Sequence, residues 1–447
     1  MRMEYTFSST KPNLNNRLVR IYVPIEIRNK IKDKFVIINL NNKTEFIEKI
    51  KEKRLVIPKR LKSKIKFLDK NIITIKEINS NQVSKEIIKN GKLNLVNLIP
   101  KKTRSGIPIN IILKNNLIIC FYKNYNGPTR LIEIKKEVPI EFCRFLGYYQ
   151  AEGGKEKKIK KSEGREISFT NTKLSLIKDF INLSGNLIDK SLWKIEIKLS
   201  KRNNEKENNL KKTLIRLGII ENNIKIRVEK NIKDYSLRGY ICSTILSDII
   251  LTFMERIKSY LIKKENFDNN DFTMCISFIQ GLFAGDGNYN AYKNKEGGIH
   301  HRMTFYDEDK RYASEYQKLL KKISIGSKII KVNNKNLYII RTTLNWEYLL
   351  LIRELGLFEY HNNHRISLIN SINNHNSYKS HKYLSQINKN FNINQLINIG
   401  IKDKMTGYNW IKKMVDRGII IKNDINNWTL SNEGQRIKNI LINLKVI

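Results

Sequence analysis

Two segments of this chain superpose at a constant spacing. The first runs Phe142-Cys143-Arg144-Phe145-Leu146-Gly147-Tyr148-Tyr149-Gln150-Ala151-Glu152-Gly153. The second runs Ile276-Ser277-Phe278-Ile279-Gln280-Gly281-Leu282-Phe283-Ala284-Gly285-Asp286-Gly287. Gly147 aligns with Gly281 and Glu152 with Asp286, at one offset (281 − 147 = 134; 286 − 152 = 134). Each segment reads as a helix, with Pro139 and Asn270-Asp271 as starts and Gly153 and Gly287 as stops. At a spacing of four, Cys143, Gly147 and Ala151 share one stripe, and Ser277, Gly281 and Gly285 share another. Small residues so placed let two helix backbones approach closely. Glycine inside a helix costs up to about 1 kcal/mol relative to alanine, so its use here points to packing. Cys143, Gly147, Ser277 and Gly281 are the expected helix interface.

That packing has a chemical consequence. Helices lying side by side in one direction deliver Glu152 and Asp286 together at their C-terminal ends. Two carboxylates there face each other and the negative ends of two helix dipoles, an unfavourable arrangement without a cation. Carboxylates, with the backbone oxygens of Ala151 and Gly285, are hard ligands suited to Mg²⁺, with Mn²⁺ as an alternative. Such a metal lowers the pKa of bound water and stabilises charge on a phosphate.

Both helices resemble the LAGLIDADG motif of homing endonucleases, the second more closely than the first. The resemblance implies an α+β fold in which two αββαββα repeats form a pseudo-two-fold saddle within one monomer. It covers about Val138 to Leu357. The motif ends in an acid and a glycine, which fall on Glu152-Gly153 and Asp286-Gly287, so those acids inherit the metal-binding and catalytic role. Glu for Asp in the first copy keeps the carboxylate, and Gln150 and Ala284 replace an earlier acid. The following residues agree. Ile167–Asn171 lies against Met303–Asp307 at an offset of 136 (303 − 167). Helices at Leu174–Leu183 and Arg311–Lys321 follow. Strands are expected at Lys225–Val228 and Tyr235–Arg238, and at Ser327–Ile330 and Tyr338–Arg341. An extra charged helix near Lys201 to Leu217 lengthens the first copy.

In such a saddle, alternating strand residues face the major groove, where base edges are distinguishable. The candidates are Lys158, Lys160, Arg165, Arg238, Lys293, Lys295, Arg302 and Arg341. Family members also place basic or amide side chains near the metals to organise water, and Asn171, Lys173 and Lys310 stand near the right place.

Charge agrees with a polyanionic partner. Lys and Arg total 84 against 42 Asp and Glu, a formal +42. Richness in Lys, Asn and Ile is what a low-GC genome gives, but codon bias does not hold Asp and Glu so far below Lys and Arg. Binding of double-stranded DNA, or of RNA, relieves that self-repulsion by releasing condensed counterions. The four cysteines, Cys120, Cys143, Cys242 and Cys275, form no CxxC pair, which argues against a zinc site or a disulfide framework and fits a reducing compartment, cytoplasmic or organellar. His300-His301 and His361 to His364 read as solvated loops. No apolar run is long enough to span a bilayer, and the first residues lack a secretory signal.

The flanks are less informative. Val23 to Ile31 echoes Ile57 to Ile65, each a strand, a proline and a short basic helix. The echo resembles swapped-hairpin DNA-binding modules of AbrB type, although an ordinary α+β accessory domain accounts for it too. Ile109–Leu113 and Leu117–Tyr122 form a hairpin across Lys114-Asn115-Asn116. Near the end, Asn390 to Leu444 resembles a winged helix in its order of helix, turn, helix, hairpin, helix. Lys412 and Lys413 are its DNA-facing cations. The expected division is therefore a basic α+β accessory domain at 1–80, a strand-rich connector at 81–137, repeats at 138–265 and 266–360, a polar linker at 361–385, and a winged-helix-like domain at 386–447.

Three activities fit. A site-specific DNA endonuclease of intron or mobile-element homing is the leading reading, because both acids are present. A LAGLIDADG-derived transcription regulator without cleavage, and an RNA maturase that assists intron splicing, are the alternatives. An intein is not expected, since the chain starts with Met1 and ends without a His-Asn pair.

Overall fold

The protein is seen in a computed structural model that describes residues 4–10, 12, 19–31, 35–49, 54–57, 67–77, 87–123, 129–153, 165–201, 204–230, 232, 234–293, 299–333, 336–375, 378, 381–424 and 426–443. Helices and strands are mixed throughout. The chain forms two compact units, Met1–Phe142 with Gly153–Ile257, and Cys143–Glu152 with Lys258–Ile447. The motif helix Phe142–Glu152 is grouped by its packing with the second half of the chain.

In the first unit, Glu4–Thr10, Lys70–Glu77, Phe35–Leu40 and Thr44–Lys49 form an antiparallel sheet in that order. Val19–Tyr22 pairs with Arg54–Ile57 so that Ile21 faces Leu55. Those two residues stand at equivalent places in the internal echo (57 − 23 = 34; 55 − 21 = 34). The two copies therefore pair strand to strand and share one core of Val19, Ile21, Val36, Ile38, Leu55, Ile57, Ile73 and Ile75. A helix at Ile25–Ile31 follows the first copy. The helix expected at Pro58 to Ile65 lies outside the described residues.

The expected hairpin is present as Asn110–Lys114 and Leu117–Lys123, turning through Asn115 at φ 51°, with Thr129–Lys135 as a third strand. Residues 81–137 are not a separate connector, however. Ile119 and Phe121 pack with Ile47 of the N-terminal sheet. The buried Glu48 carboxylate accepts from Lys123 and, at 2.9 Å, from the Thr129 hydroxyl.

A further four-stranded sheet of this unit runs in the order Glu166–Asn171, Tyr235–Cys242, Lys194–Leu199, Ile224–Val228. Both expected strands are present in it. Tyr235–Cys242 pairs with Lys194–Leu199, a strand not anticipated, and Ile224–Val228 lies outside it in parallel. Parallel neighbours need a crossover. The charged helix, observed at Asn204–Arg216, supplies it.

In the second unit, residues 269–354 fold as helix, two strands, helix, two strands, helix. The sheet order is Asn288–Lys293, Ile299–Asp307, Tyr338–Leu344, Lys328–Lys331. The helix Asn269–Asp286 starts at Asp268 rather than at Asn270-Asp271. The Asp268 side chain accepts from the Asp271 amide and Asp271 reciprocates, a capping box that satisfies two otherwise orphaned donors.

The polar segment 361–385 is not a linker. Its described residues include a helix, Asn362–Asn374, which buries Leu368, Ile369 and Ile372. His300 is exposed on the strand Ile299–Asp307, but other histidines belong to this packing rather than to solvated loops. His301 and His381 are buried, and His361 caps the helix by accepting from the His364 amide. Beyond it, Asn390–Asn392, Ile393–Asn398, Lys404–Asp416, Ile420–Lys422, Asn427–Leu430 and Asn432–Asn443 form a strand–helix–helix–hairpin–helix module. Arg436 of its last helix donates to Glu354 at 2.7 Å, fastening the module to the helix Trp346–Glu354. No described helix is long and apolar enough to cross a membrane, and no disulfide joins the cysteines.

Candidate active site

The second unit contains both motif helices, Phe142–Glu152 from Cys143 onward and Asn269–Asp286. Their contact is backbone on backbone. A methyl added at Gly147 would come under 3.0 Å of the Phe278 carbonyl oxygen and the Leu282 amide nitrogen. One added at Gly281 would meet the Arg144 carbonyl and the Tyr148 amide in the same way. The neighbours are themselves equivalent at the motif offset (278 − 144 = 134; 282 − 148 = 134). The contact is therefore reciprocal, as a local two-fold axis requires. Cys143 and Ser277, one turn earlier on each stripe, are both buried.

Further along, a methyl on Gly285 would strike Ala151 and stand 3.2 Å from Cγ of Glu152. Gly147 meets Gly281 and Ala151 meets Gly285, so the helices run in the same sense and end together. Glu152 and the adjacent Asp286 are carried on those ends, and both are half-buried. Gly287 ends the second helix in an extended conformation (φ −76°, ψ 146°). Glycine is needed there for space, since a Cβ would run into the Phe283 ring.

The donor set fits a hard divalent cation. The last carbonyls of a helix lack intrahelical partners, and those of Ala151 and Gly285 lie in the final turns beside the two carboxylates. Among the described residues no group of three or more His, Cys, Asp or Glu gathers to hold a metal. Two acids and two backbone oxygens leave coordination positions for water and phosphate, as Mg²⁺ prefers.

A buried polar chain lies behind these ends. Gln150, fully buried, donates to the Tyr316 hydroxyl at 2.9 Å and accepts from Lys258 Nζ at 3.1 Å. Tyr316 donates in turn to Asp307 at 2.9 Å. The phenol is pushed well above its ordinary pKa, first by burial and then by the charges of Asp307 and Asp286. Sequence reading noted Gln150 only as a lost acid and missed the rest.

The remaining candidates fall into groups. Asn171 ends the strand Glu166–Asn171 and accepts from the Lys173 amide at 2.9 Å. Burial lowers the pKa of the half-buried Lys173 ammonium. Lys310 is exposed at the first turn of Lys310–Lys322. On the 288–344 sheet, His301, Met303, Phe305, Ile340 and Leu344 point inward, and the alternate residues point outward. Arg302 lies on that outer face, donating to the Tyr292 hydroxyl at 2.5 Å and covering its ring. Arg341 faces Thr304, and Arg302 faces Thr343. Asn290 faces Arg302 across the other edge. Asn288, Asn290, Tyr306 and Thr343 thus join the two arginines, and the period of two from Arg302 gives Tyr306 directly, while Thr304 between them is buried.

Arg238 is half-exposed but ion-paired with Glu166 and Glu196, so it adds little net positive potential. Arg165 is corrected outright as a groove contact. Its guanidinium is 3% exposed and donates to Asp248 at 2.6 Å, which leaves no path to a phosphate. Lys158, Lys160 and Lys295 lie outside the described residues. Lys293 ends the strand Asn288–Lys293 opposite Ile299. Lys412 and Lys413 are exposed on Lys404–Asp416.

Residues 274–365 match the family model of the LAGLIDADG-like domain. The match takes in most of the second motif helix and the sheet and helices after it. No curated protein sequence matches the chain. Among solved structures, I-DmoI in complex with DNA and Mn aligns at 17% identity, covering 48% of this chain and 96% of that one, with a TM-score of 0.28. The meganuclease I-SmaMI bound to uncleaveable DNA aligns at 11% identity over 52% of this chain and 91% of its own, with a TM-score of 0.31.

Proposed function

We propose that the chain is a site-specific, divalent-metal-dependent endonuclease of double-stranded DNA, built from two LAGLIDADG repeats in one monomer. One observation carries the reading. The reciprocal glycine contact brings Glu152 and Asp286 to adjacent ends of two parallel helices. Like charges at the negative ends of two dipoles call for a cation, and the neighbouring carbonyls complete a hard-oxygen set.

In this reading Glu152, Asp286 and the carbonyls of Ala151 and Gly285 hold Mg²⁺ or Mn²⁺. When bound, the metal supplies a nucleophilic water and neutralises the phosphate under attack. The outer face of the 288–344 sheet reads the major groove, with Arg302 and Arg341 suited to guanine and Asn288 and Asn290 to adenine. Lys173, with its lowered pKa, and Asn171 and Lys310 organise water and phosphate.

The C-terminal module supports a second DNA-reading element. Its strand–helix–helix–hairpin–helix order is that of a winged helix, and Lys404–Asp416 exposes Met405, Tyr408, Lys412 and Lys413. That module also suits a regulator that binds without cutting. Cleavage of a randomised duplex library in Mg²⁺ separates the readings. The wild-type protein should cut, whereas Asp286→Asn should not, while holding DNA in Ca²⁺ as tightly as before. A wild-type protein that binds duplex and never nicks it is the regulator, and one that prefers intron RNA to duplex is the maturase.

A further inference from the structure

The polar chain behind the motif helices has a fixed direction. Lys258 is 2% exposed and can only donate. Its ammonium is shared between Glu315 at 2.5 Å and the Gln150 carbonyl at 3.1 Å. This orients the Gln150 amide, so Nε2 must point at Tyr316. The phenol oxygen accepts that bond and therefore gives its own proton to Asp307. Lys258, Gln150, Tyr316 and Asp307 thus form a one-way row of donors from a buried cation to a half-exposed carboxylate. Buried polar groups strengthen one another in such rows, and they cost heavily when one link is lost.

The row ends beside the acid centre. Gln150 lies two residues before Glu152 on the same helix. Asn288, two residues after Asp286, pairs with Thr304, three residues before Asp307, so the strand register brings the two acids to the same end of the sheet; the charge of Asp286 is also among the causes that raise the Tyr316 pKa. Phe283, one turn before Asp286, packs edge-on against Phe305, which flanks Tyr316. The other Asp307 oxygen accepts from the Asp309 amide at 2.8 Å, so the amide and the phenol together set the pose of this carboxylate.

The row is also one-sided. At the repeat offsets, Gln150 corresponds to Ala284 (150 + 134), Tyr316 to Phe180 (316 − 136) and Asp307 to Asn171 (307 − 136). No hydroxyl or acid stands at those equivalent places. Phe180 instead stacks on Phe169 at 4.3 Å between centroids.

We propose that Gln150 and Tyr316 are positioning residues: they carry the charge of Lys258 to Asp307 and hold that carboxylate in a fixed pose beside Asp286, so that the centre is pre-organised on one side for a divalent cation. This rests on the nuclease reading above and adds to it a layer of support that has no counterpart at the repeat-equivalent positions. Side chains that orient metal ligands from behind typically change affinity by about 10–100-fold when removed.

Mn²⁺ alone is the probe, titrated into full-length protein without DNA and followed by calorimetry. Asp286→Asn serves as the reference for the centre itself. Tyr316→Phe deletes one oxygen and keeps the ring. It should weaken Mn²⁺ binding by about tenfold. Asp307→Asn should do the same, and the double variant should be no worse than either single one, because all three break the same row. Single variants that lower Tm yet bind Mn²⁺ as the wild type does, or losses that add in the double variant, overturn the proposal and make the row a packing feature. If Asp286→Asn itself binds Mn²⁺ unchanged, the nuclease reading fails first and the proposal falls with it. With a cleavable duplex, Tyr316→Phe should also slow one strand more than the other, and equal slowing of both strands counts against it.

Discussion

Gly147 and Gly281 are each other's counterparts across the helix contact: each leaves room for the other helix's main chain where a methyl would come under 3.0 Å. The opposing atoms are carbonyl oxygens and amide nitrogens, which cannot rotate away as a side-chain end can. Overpacking a well-filled core typically costs about 1–3 kcal/mol, and rigid neighbours put this site at the upper end. Gly147→Ala and Gly281→Ala should each lower the urea midpoint by a corresponding amount. Cleavage should fall more than stability does, since the helix ends bearing Glu152 and Asp286 must separate. A variant with wild-type stability and wild-type cutting would mean that the two rods do not touch as described.

This contact was legible in the sequence because it depends on local spacing. A stripe of small residues every fourth position, repeated at one offset, needs no partner to be recognised. The acids at its end follow from the same repeat. What escaped reading depends on residues far apart in the chain. Lys194–Leu199 alternates as a strand should, yet nothing local says that it lies between Tyr235–Cys242 and a parallel edge strand. Lys258 and Gln150 are separated by more than a hundred residues, so their pairing had no sequence signal. Arg165 follows a basic run and invites a surface role, and only the fold brings Asp248 to it. The Asn- and Ser-rich stretch after His361 has a linker's composition, but Leu368, Ile369 and Ile372 at helical spacing decide its packing.

The burial of Arg165 gives a prediction opposite to that for a DNA contact. Arg165 and Asp248 are 3% and 2% exposed, and the Arg104 amide also donates to Asp248 at 3.2 Å. Removing one partner of a buried pair leaves the other charged and desolvated, at a cost of about 3–5 kcal/mol. Arg165→Met should therefore destabilise strongly in urea, and Asp248→Asn similarly. At temperatures where the variant stays folded, its DNA affinity and salt dependence should match the wild type. A stable Arg165→Met protein with weakened DNA binding would return Arg165 to the groove.

The histidines of the second unit predict an acid-sensitive fold. His301 is buried beside the Tyr289 hydroxyl at 3.0 Å, and His375 lies against Trp346. Burial lowers the pKa of both imidazoles. The nearby His375 and His300 depress His301 further, while Glu347 partly offsets the effect at His375. A folded state that resists protonation binds fewer protons than the unfolded chain once pH drops below the ordinary imidazole value of about 6.5. Stability should therefore be full above that value and fall as pH drops through the lowered folded pKa values. Thermal melts should show Tm declining below about pH 6.5, with a shallower decline in His301→Gln. A wild-type Tm that is flat across this range would show that the rings protonate freely in place.

The C-terminal module can be tested without disturbing the core. Lys412 and Lys413 are exposed, while Trp410, Ile411 and Met414 on the same helix are buried. Charge reversal at the two lysines should leave Tm unchanged. If they meet phosphates, each lost contact removes about one counterion release, so the slope of log affinity against log salt should flatten by about one per lysine. The chain's formal +42 implies a steep slope to begin with, and the change is read against the wild type measured over the same salt range. Cutting of a bound target should continue, because Glu152 and Asp286 lie on other helices. If affinity, slope and target range all survive Lys412→Glu with Lys413→Glu, that helix does not touch the backbone of DNA. The ion pair of Arg436 with Glu354 would then mark the module as a structural brace on the 269–354 fold.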